Sequence, residues 1–323
     1  MHHIQRRTAA LALLLMGSAV MAQTKFPEGA IRMVVPFAAG GGVDSAARLL
    51  AKQLGTNLNL PVIVENKPGA NGSVGGKFVQ NAQPDGHTVL FSASTHVLAK
   101  QVMANAPYEP QTDFAAVARV GEAPLMMVIS PSLPQTKLSE VIAAAKQSPD
   151  KWTAALPALG AASHLGTLMF AKQGGLTELT TAVYKGTAPA LTDVAGGHVQ
   201  IQIDSIISLQ GMAKSGKVKP IVVTSAKRSE VMPNVPTAVE SGYPKFVTES
   251  WYGIWAPKST PPERVLFLNK AVNEAVAQLT KAGAFEPLGI EPVTESVEDF
   301  RKYMSAYVAE SADLLKGAGF KPE

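Results

Sequence analysis

Short apolar runs of strand length alternate along this chain with stretches of helical periodicity, and that alternation leaves few folds open. The first run covers residues 31–37. After Gly40-Gly41-Gly42, apolar residues recur at Ala47, Leu50, Ala51 and Leu54. Offsets of three, four and seven put one face of a helix against a core. Further strands are expected at 62–65, 88–92, 115–120, 125–130, 199–203, 218–224 and 252–256, and helices at 138–147, 163–173, 188–195, 261–281 and 297–316. The helix at 261–281 has a start signal in Thr260-Pro261-Pro262-Glu263, with a capping hydroxyl, Pro in the first turn and Glu placed for a capping box, and Gly283 to stop it. Such alternation implies the α/β class, with mostly parallel sheets covered by helices. Two short strands, 125–130 and 252–256, suit a double crossing between two halves of the molecule. If both cross, the middle segment forms a lobe of its own and the two ends form the other.

The first 22 residues read as an export signal. Arg6 and Arg7 precede an unbroken apolar stretch from Ala9 to Leu15, and Val20-Met21-Ala22 fits a small-x-small cleavage site. The apolar stretch is shorter than the roughly 20 residues of a spanning helix. Of the +4 formal charge, Arg6 and Arg7 supply two, so residues 23–323 carry +2. No basic run of four or more occurs, which argues against a nucleic-acid partner. Cysteine is absent, which excludes disulfides, thiolate metal sites and a Cys nucleophile. The histidines after residue 3 form no His-x-His or His-x₃-His pair, so no metal or other cofactor is expected.

Four loops at strand ends could carry chemistry. Residues 36–44, Pro-Phe-Ala-Ala-Gly-Gly-Gly-Val-Asp, join a strand to a helix. Glycines there let a ligand approach backbone N–H groups, and the helix behind adds the positive end of its dipole, so an anion can be held with no basic side chain. The third glycine of a dinucleotide fingerprint and the Lys-Ser/Thr of a P-loop are both missing. Leu159-Gly160-Ala161-Ala162-Ser163-His164 is the second loop, with Ser163 a natural helix cap. Tyr184-Lys185-Gly186-Thr187-Ala188-Pro189-Ala190 is the third and Ser92-Ala93-Ser94-Thr95 the fourth. In open α/β sheets ligands gather at the carboxyl ends of strands. Asp204 follows the apolar run Ile201-Gln202-Ile203 and either ends a solvated strand or faces the cleft. Catalysis is not expected: no Gly-x-Ser-x-Gly elbow occurs, and Ser163 and His164, as helical neighbours, point apart.

At these loops the chain resembles the substrate-binding proteins of tripartite tricarboxylate transporters, the Bug family. The resemblance runs through the segments 31–44, Val64-Glu65-Asn66-Lys67-Pro68-Gly69-Ala70-Asn71-Gly72, Pro84-Asp85-Gly86-His87-Thr88, 161–165, 184–193, 222–228 and Trp251-Tyr252-Gly253-Ile254-Trp255-Ala256-Pro257. It implies a two-lobed periplasmic-binding-protein fold of type II, the Venus flytrap, with a central cleft and two crossing strands. The expected division is 1–22 signal, 23–124 and 251–323 in one lobe, and 125–250 in the other. The resemblance also implies a periplasmic receptor, not an enzyme. It would capture a small carboxylate (dicarboxylate, tricarboxylate, acidic amino acid or aromatic carboxylate) for membrane transporter subunits, and act as a monomer. An extracytoplasmic sensor subunit is the alternative. Carried over by position, the ligand residues are Phe37, Ala39, Gly40, Gly41, Ser94, Thr95, Gly160, Ala161, Ser163, Thr187, Ala188 and Asp204, with Asp44 shaping the first loop. One departure is the run Val97-Leu98-Ala99-Lys100-Gln101-Val102, where the family usually carries Asn-Pro.

Overall fold

The computed structural model describes residues 26–177 and 179–323; the expected export signal lies outside them. Along the chain, β1 (Ile31–Val35) leads to α1 (Gly42–Leu58), β2 (Val62–Asn66), α2 (Ser73–Gln80), β3 (Thr88–Ala93), the short α3 (Ala99–Val102) and β4 (Phe114–Ile129). Then come α4 (Leu138–Gln147), β5 (Thr153–Leu156), α5 (Ala162–Gly174), β6 (Thr180–Val183), α6 (Thr187–Gly196), β7 (Ile201–Ser205), α7 (Ile206–Lys214) and β8 (Lys219–Val223). The chain closes with β9 (Glu249–Pro257), α8 (Pro262–Lys281), β10 (Glu291–Pro292) and α9 (Val297–Gly317).

The strands form one mixed sheet in the order β2-β1-β3-β9-β4-β7-β5-β6, with β10 and β8 also paired to β4. The two-lobed fold follows from how β4 is shared. Its first part pairs with β9, and its last residues, Leu125–Ile129, pair with β7. On one side β1 is parallel to β2 and β3; on the other β5 is parallel to β6 and β7. Each side therefore holds three parallel strands, flanked by antiparallel β9 or β4, whose carboxyl ends can meet those of the other side. Register shifts between Ala116 and Ala118 and between Arg119 and Gly121 mark bulges that bend β4.

Periodicity explains the layers. Ile31, Met33 and Val35 of β1 enter one core cluster with Ala46, Ala47, Leu50, Ala51 and Leu54 of α1, while Val34 faces a second cluster holding Trp251, Trp255 and Phe300. That is the period-two alternation of a strand covered on both faces. The α1 face read from the sequence is the buried one.

Three expectations need correction. The strands expected at 115–120 and 125–130 are one strand, β4. Pro124, read as a boundary, sits where β4 ends its ladder with β9 (opposite Glu249) and begins its pairing with β7, a place where a missing N–H is tolerated. Thr260 does not cap α8. Pro261 takes the cap position, its carbonyl accepting from Arg264 and Val265 N–H, and the Thr260 hydroxyl has no partner. Ser163 does not cap α5. The Ala161 carbonyl already accepts from His164 N–H, so the turn closes ahead of Ser163, whose buried hydroxyl is unpartnered.

Candidate ligand site

The carboxyl ends of β1, β3, β5, β6 and β7 converge on one small cavity between the two sides, about 40 Å³ in volume. Four helices begin at its wall. Gly41 caps α1, Ala161 caps α5, Gly186 caps α6 and Ser205 caps α7, and all four line the cavity. None of these caps is a side chain bonded back to its own first turn. Helix starts of this kind present uncapped N–H groups and about half a positive charge each, so four around one point favour an anion. Among the described residues no Lys or Arg lines the cavity, and the acids on its wall are Asp44 and Asp204.

The first loop is held by Asp44. Its carboxylate accepts from Gly40 N–H at 3.0 Å, from Arg48 Nε at 2.9 Å and from Asn66 Nδ2 at 2.9 Å. Asn66 Nδ2 also donates to the Phe37 carbonyl at 3.0 Å, which stitches both ends of the loop to β2. Burial alone would raise the Asp44 carboxyl, but the bonds from Arg48, Gly40 and Asn66 outweigh it and hold the group below its ordinary value. In the second loop, Gly160 turns with φ +70° and its N–H donates to His164 Nδ1 at 3.1 Å. Burial pushes the His164 imidazole down to about 4, so it stays a neutral acceptor.

Asp204 behaves differently. Its Oδ2 accepts from the Thr187 hydroxyl at 2.5 Å and its Oδ1 from Ser205 N–H at 2.8 Å. Burial nevertheless outweighs these bonds and pushes the carboxyl up to about 6. Three hydrogen bonds join the two sides around the cavity. Gly42 N–H donates to Ser208 Oγ at 2.8 Å, the Ser205 and Tyr252 hydroxyls meet at 2.8 Å, and Asn71 Nδ2 donates to the Leu159 carbonyl at 2.8 Å. A Cβ at Gly42 would sit 2.5 Å from Ser208 Oγ, so only glycine permits this approach of α1 to α7.

Of the residues expected from sequence, Phe37, Gly41, Thr95, Ala161, Thr187 and Asp204 line the cavity. Ala39 and Gly40 are exposed on the loop, and Ser94, Gly160, Ser163 and Ala188 lie beside lining residues without lining the cavity themselves. Sequence reasoning missed Ser205, Ser208 and Tyr252 as wall residues. Tyr252 reaches the wall because β9 lays it opposite Ala93 of β3 and Gly121 of β4. Among the described residues, no group of three or more His, Cys, Asp or Glu is arranged to hold a metal, and no helix is long and apolar enough to cross a membrane. A wider surface groove, about 1130 Å³, passes Arg32, Lys67 and Lys77, but it is open to solvent and none of the four strand-end loops reaches it. Size alone does not make it the ligand site; the smaller cavity has the converging helix starts.

Residues 46–320 match the model of the tripartite tricarboxylate transporter family receptor. The solved structure of the periplasmic binding protein BugD is 37% identical, covers 92% of this chain and 100% of its own, and superposes with a TM-score of 0.87. A protein from R. palustris solved with adipate is 31% identical, with 92% and 100% covered and a TM-score of 0.88. Another, MatC from Rhodopseudomonas palustris with bound malate, is 31% identical, with 90% and 100% covered and a TM-score of 0.83.

Proposed function

Because the chain belongs to the tripartite tricarboxylate transporter receptor family, and is thus a solute-binding protein, we propose that it captures a small organic carboxylate between its lobes and delivers it to a membrane transporter of that type. The observation that carries this reading is the meeting of four helix starts on one cavity that no basic side chain lines among the described residues. Adipate and malate in the two related structures are both dicarboxylates, which favours that class here.

In this reading the carboxylate is held by backbone N–H groups at Gly41 and Thr187, with the Thr187 hydroxyl and the walls of Phe37, Thr95 and Ala161 around it. The lobes comprise 23–124 with 251–323, and 125–250, joined through β4 and β9. A cavity of about 40 Å³ is far below the roughly 300–1,000 Å³ of sites that bury a small molecule whole. Admission of a ligand therefore requires the lobes to part, and the bonds Gly42–Ser208 and Ser205–Tyr252 break and re-form with that motion. Residues 1–22 direct export to the periplasm, where the monomeric receptor meets its transporter.

A thermal-unfolding screen across dicarboxylates, tricarboxylates, acidic amino acids and aromatic carboxylates tests the reading. A ligand at a hundredfold excess over its Kd stabilises the folded state by about 2.7 kcal/mol. If a folded sample responds to none of them, the carboxylate reading is lost.

A further inference from the structure

Resting on the carboxylate reading, we propose that capture of the ligand takes up one proton at Asp204 Oδ2, and that this proton turns the Thr187 hydroxyl from its carboxylate partner towards the ligand. The starting point is an imbalance of charge. An anion entering this cavity meets four helix starts but also a buried carboxylate, and among the described residues no cation on the wall offsets the second negative charge.

Gln202, two residues back on β7, lends its side-chain amide to Asp204 but carries no charge, and the other neighbours supply no cation. On α1, Asp44 is the second acid, and Arg48 is committed to it and to Asn66. From α6 the only polar contact is Thr187, and Lys185 just before that helix is exposed and does not line the cavity. From β9, the Tyr252 hydroxyl meets Ser205 rather than Asp204. On α5, His164 is a neutral acceptor for Gly160 N–H. The residue opposite on β4 is Met126, which carries no charge.

The heavy atoms are already placed for the protonated form. Oδ1 keeps the Ser205 N–H at 2.8 Å, and Oδ2 lies 2.5 Å from Thr187 Oγ1. A hydroxyl accepts as readily as it donates. With a proton on Oδ2, the Asp204 O–H donates to Thr187 Oγ1 and the Thr187 O–H is free to donate into the cavity, which Thr187 lines. One added proton thus removes the repulsion and creates a donor, with no side chain moved. Burial already brings the ligand-free carboxyl to about 6. An anion a few ångströms away would strengthen its hold on the proton by on the order of a hundredfold.

The sign follows from linkage. Between about pH 6 and the higher value in the loaded protein, binding draws a proton from solution, so affinity falls as pH rises, by up to about tenfold per pH unit. Below that window Asp204 is already protonated and its uptake fades. The test is isothermal titration calorimetry of the purified protein with adipate and malate, at about pH 7.5, in phosphate and in Tris. The two buffers differ in ionisation enthalpy, so the difference in heat counts protons, and about one per ligand is expected. The variant Asp204→Asn should bind without proton uptake, with an affinity flat in pH and tighter than wild type at about pH 8. Binding by wild type with essentially no proton taken up overturns the proposal, as does undiminished uptake in Asp204→Asn. If that variant does not fold, the wild-type proton count decides alone. Failure of every carboxylate in the thermal screen removes the underlying reading instead, and the coupling with it.

Discussion

Replacing Asp204 by Asn in the ligand-free protein should stabilise it at neutral pH, although it alters a buried, doubly hydrogen-bonded residue. Folding raises this carboxyl from an ordinary 3.8 to about 6. A raised value means that the folded state binds the proton more tightly than the unfolded one. Stability is therefore greatest below about pH 4 and falls as pH rises through about 6, then levels off. The difference corresponds to about 3 kcal/mol held against the folded state at pH 7. Asn keeps a carbonyl for Ser205 N–H and presents an amide to Thr187 Oγ1, so the bonding is conserved while the buried charge is gone. Some of the gain is lost to imperfect amide geometry, leaving about 1–3 kcal/mol. Urea unfolding of both proteins from about pH 4 to 8 reads it as a midpoint raised by about 0.5–1 M at the upper end and nearly unchanged at the lower. An Asp204→Asn protein less stable than wild type by the same amount at every pH would refute the reasoning, because Asp204 would then titrate alike in the folded and unfolded states and burial of its charge would cost nothing.

Three further outcomes follow from the contacts around the cavity. Gly42→Ala drives a methyl group into Ser208 Oγ and Ile207; it should hold α1 off α7 at about 1–3 kcal/mol, seen as a larger radius of gyration by small-angle scattering and a Kd raised at least about tenfold. Tyr252→Phe leaves the buried Ser205 hydroxyl without its partner and should lower stability by about 1–2 kcal/mol in urea unfolding. Asp44→Ala removes the acceptor of Arg48 and Gly40 N–H and should lower stability by about 1.5–3 kcal/mol at neutral pH. Since the Asp44 carboxyl lies below its ordinary value, its contribution is present above about pH 4 and is lost as pH falls through the folded-state value, so the deficit of Asp44→Ala should shrink on acidification.

How far the sequence carries depends on the range of the interactions involved. Helix α4 begins and ends where periodicity places it, and the buried face of α1 is the one its spacing marks, because a long amphipathic pattern is a local record of a core. β5 and β6 carry no such record. They are four residues each, and β6, at the end of the strand order, is largely exposed, so it leaves no apolar alternation to read. Capping residues mislead for a related reason. Thr260 and Ser163 have the favoured chemistry, but Pro261 and Ala161 have the backbone geometry, and the geometry decides where the first turn closes.

The same division runs through the site. Glycine-rich strand ends are legible as places where an anion can meet backbone N–H groups, and Gly41, Ala161 and Thr187 do stand at the cavity. Their neighbours Gly40, Gly160 and Ala188 do not line it, since one residue at a helix start turns a group to another direction. Ser208 and Tyr252 carry no local signal, for each is brought to the wall from an element distant in sequence: Ser208 by the approach of α1 to α7, Tyr252 by the register of β9 with β3. Asp204 is the instructive case. The pattern around it leaves solvated strand end and cleft residue equally open. What makes it a proton-binding group is burial without a cation, a property of four helices and two sheets together that no stretch of sequence contains.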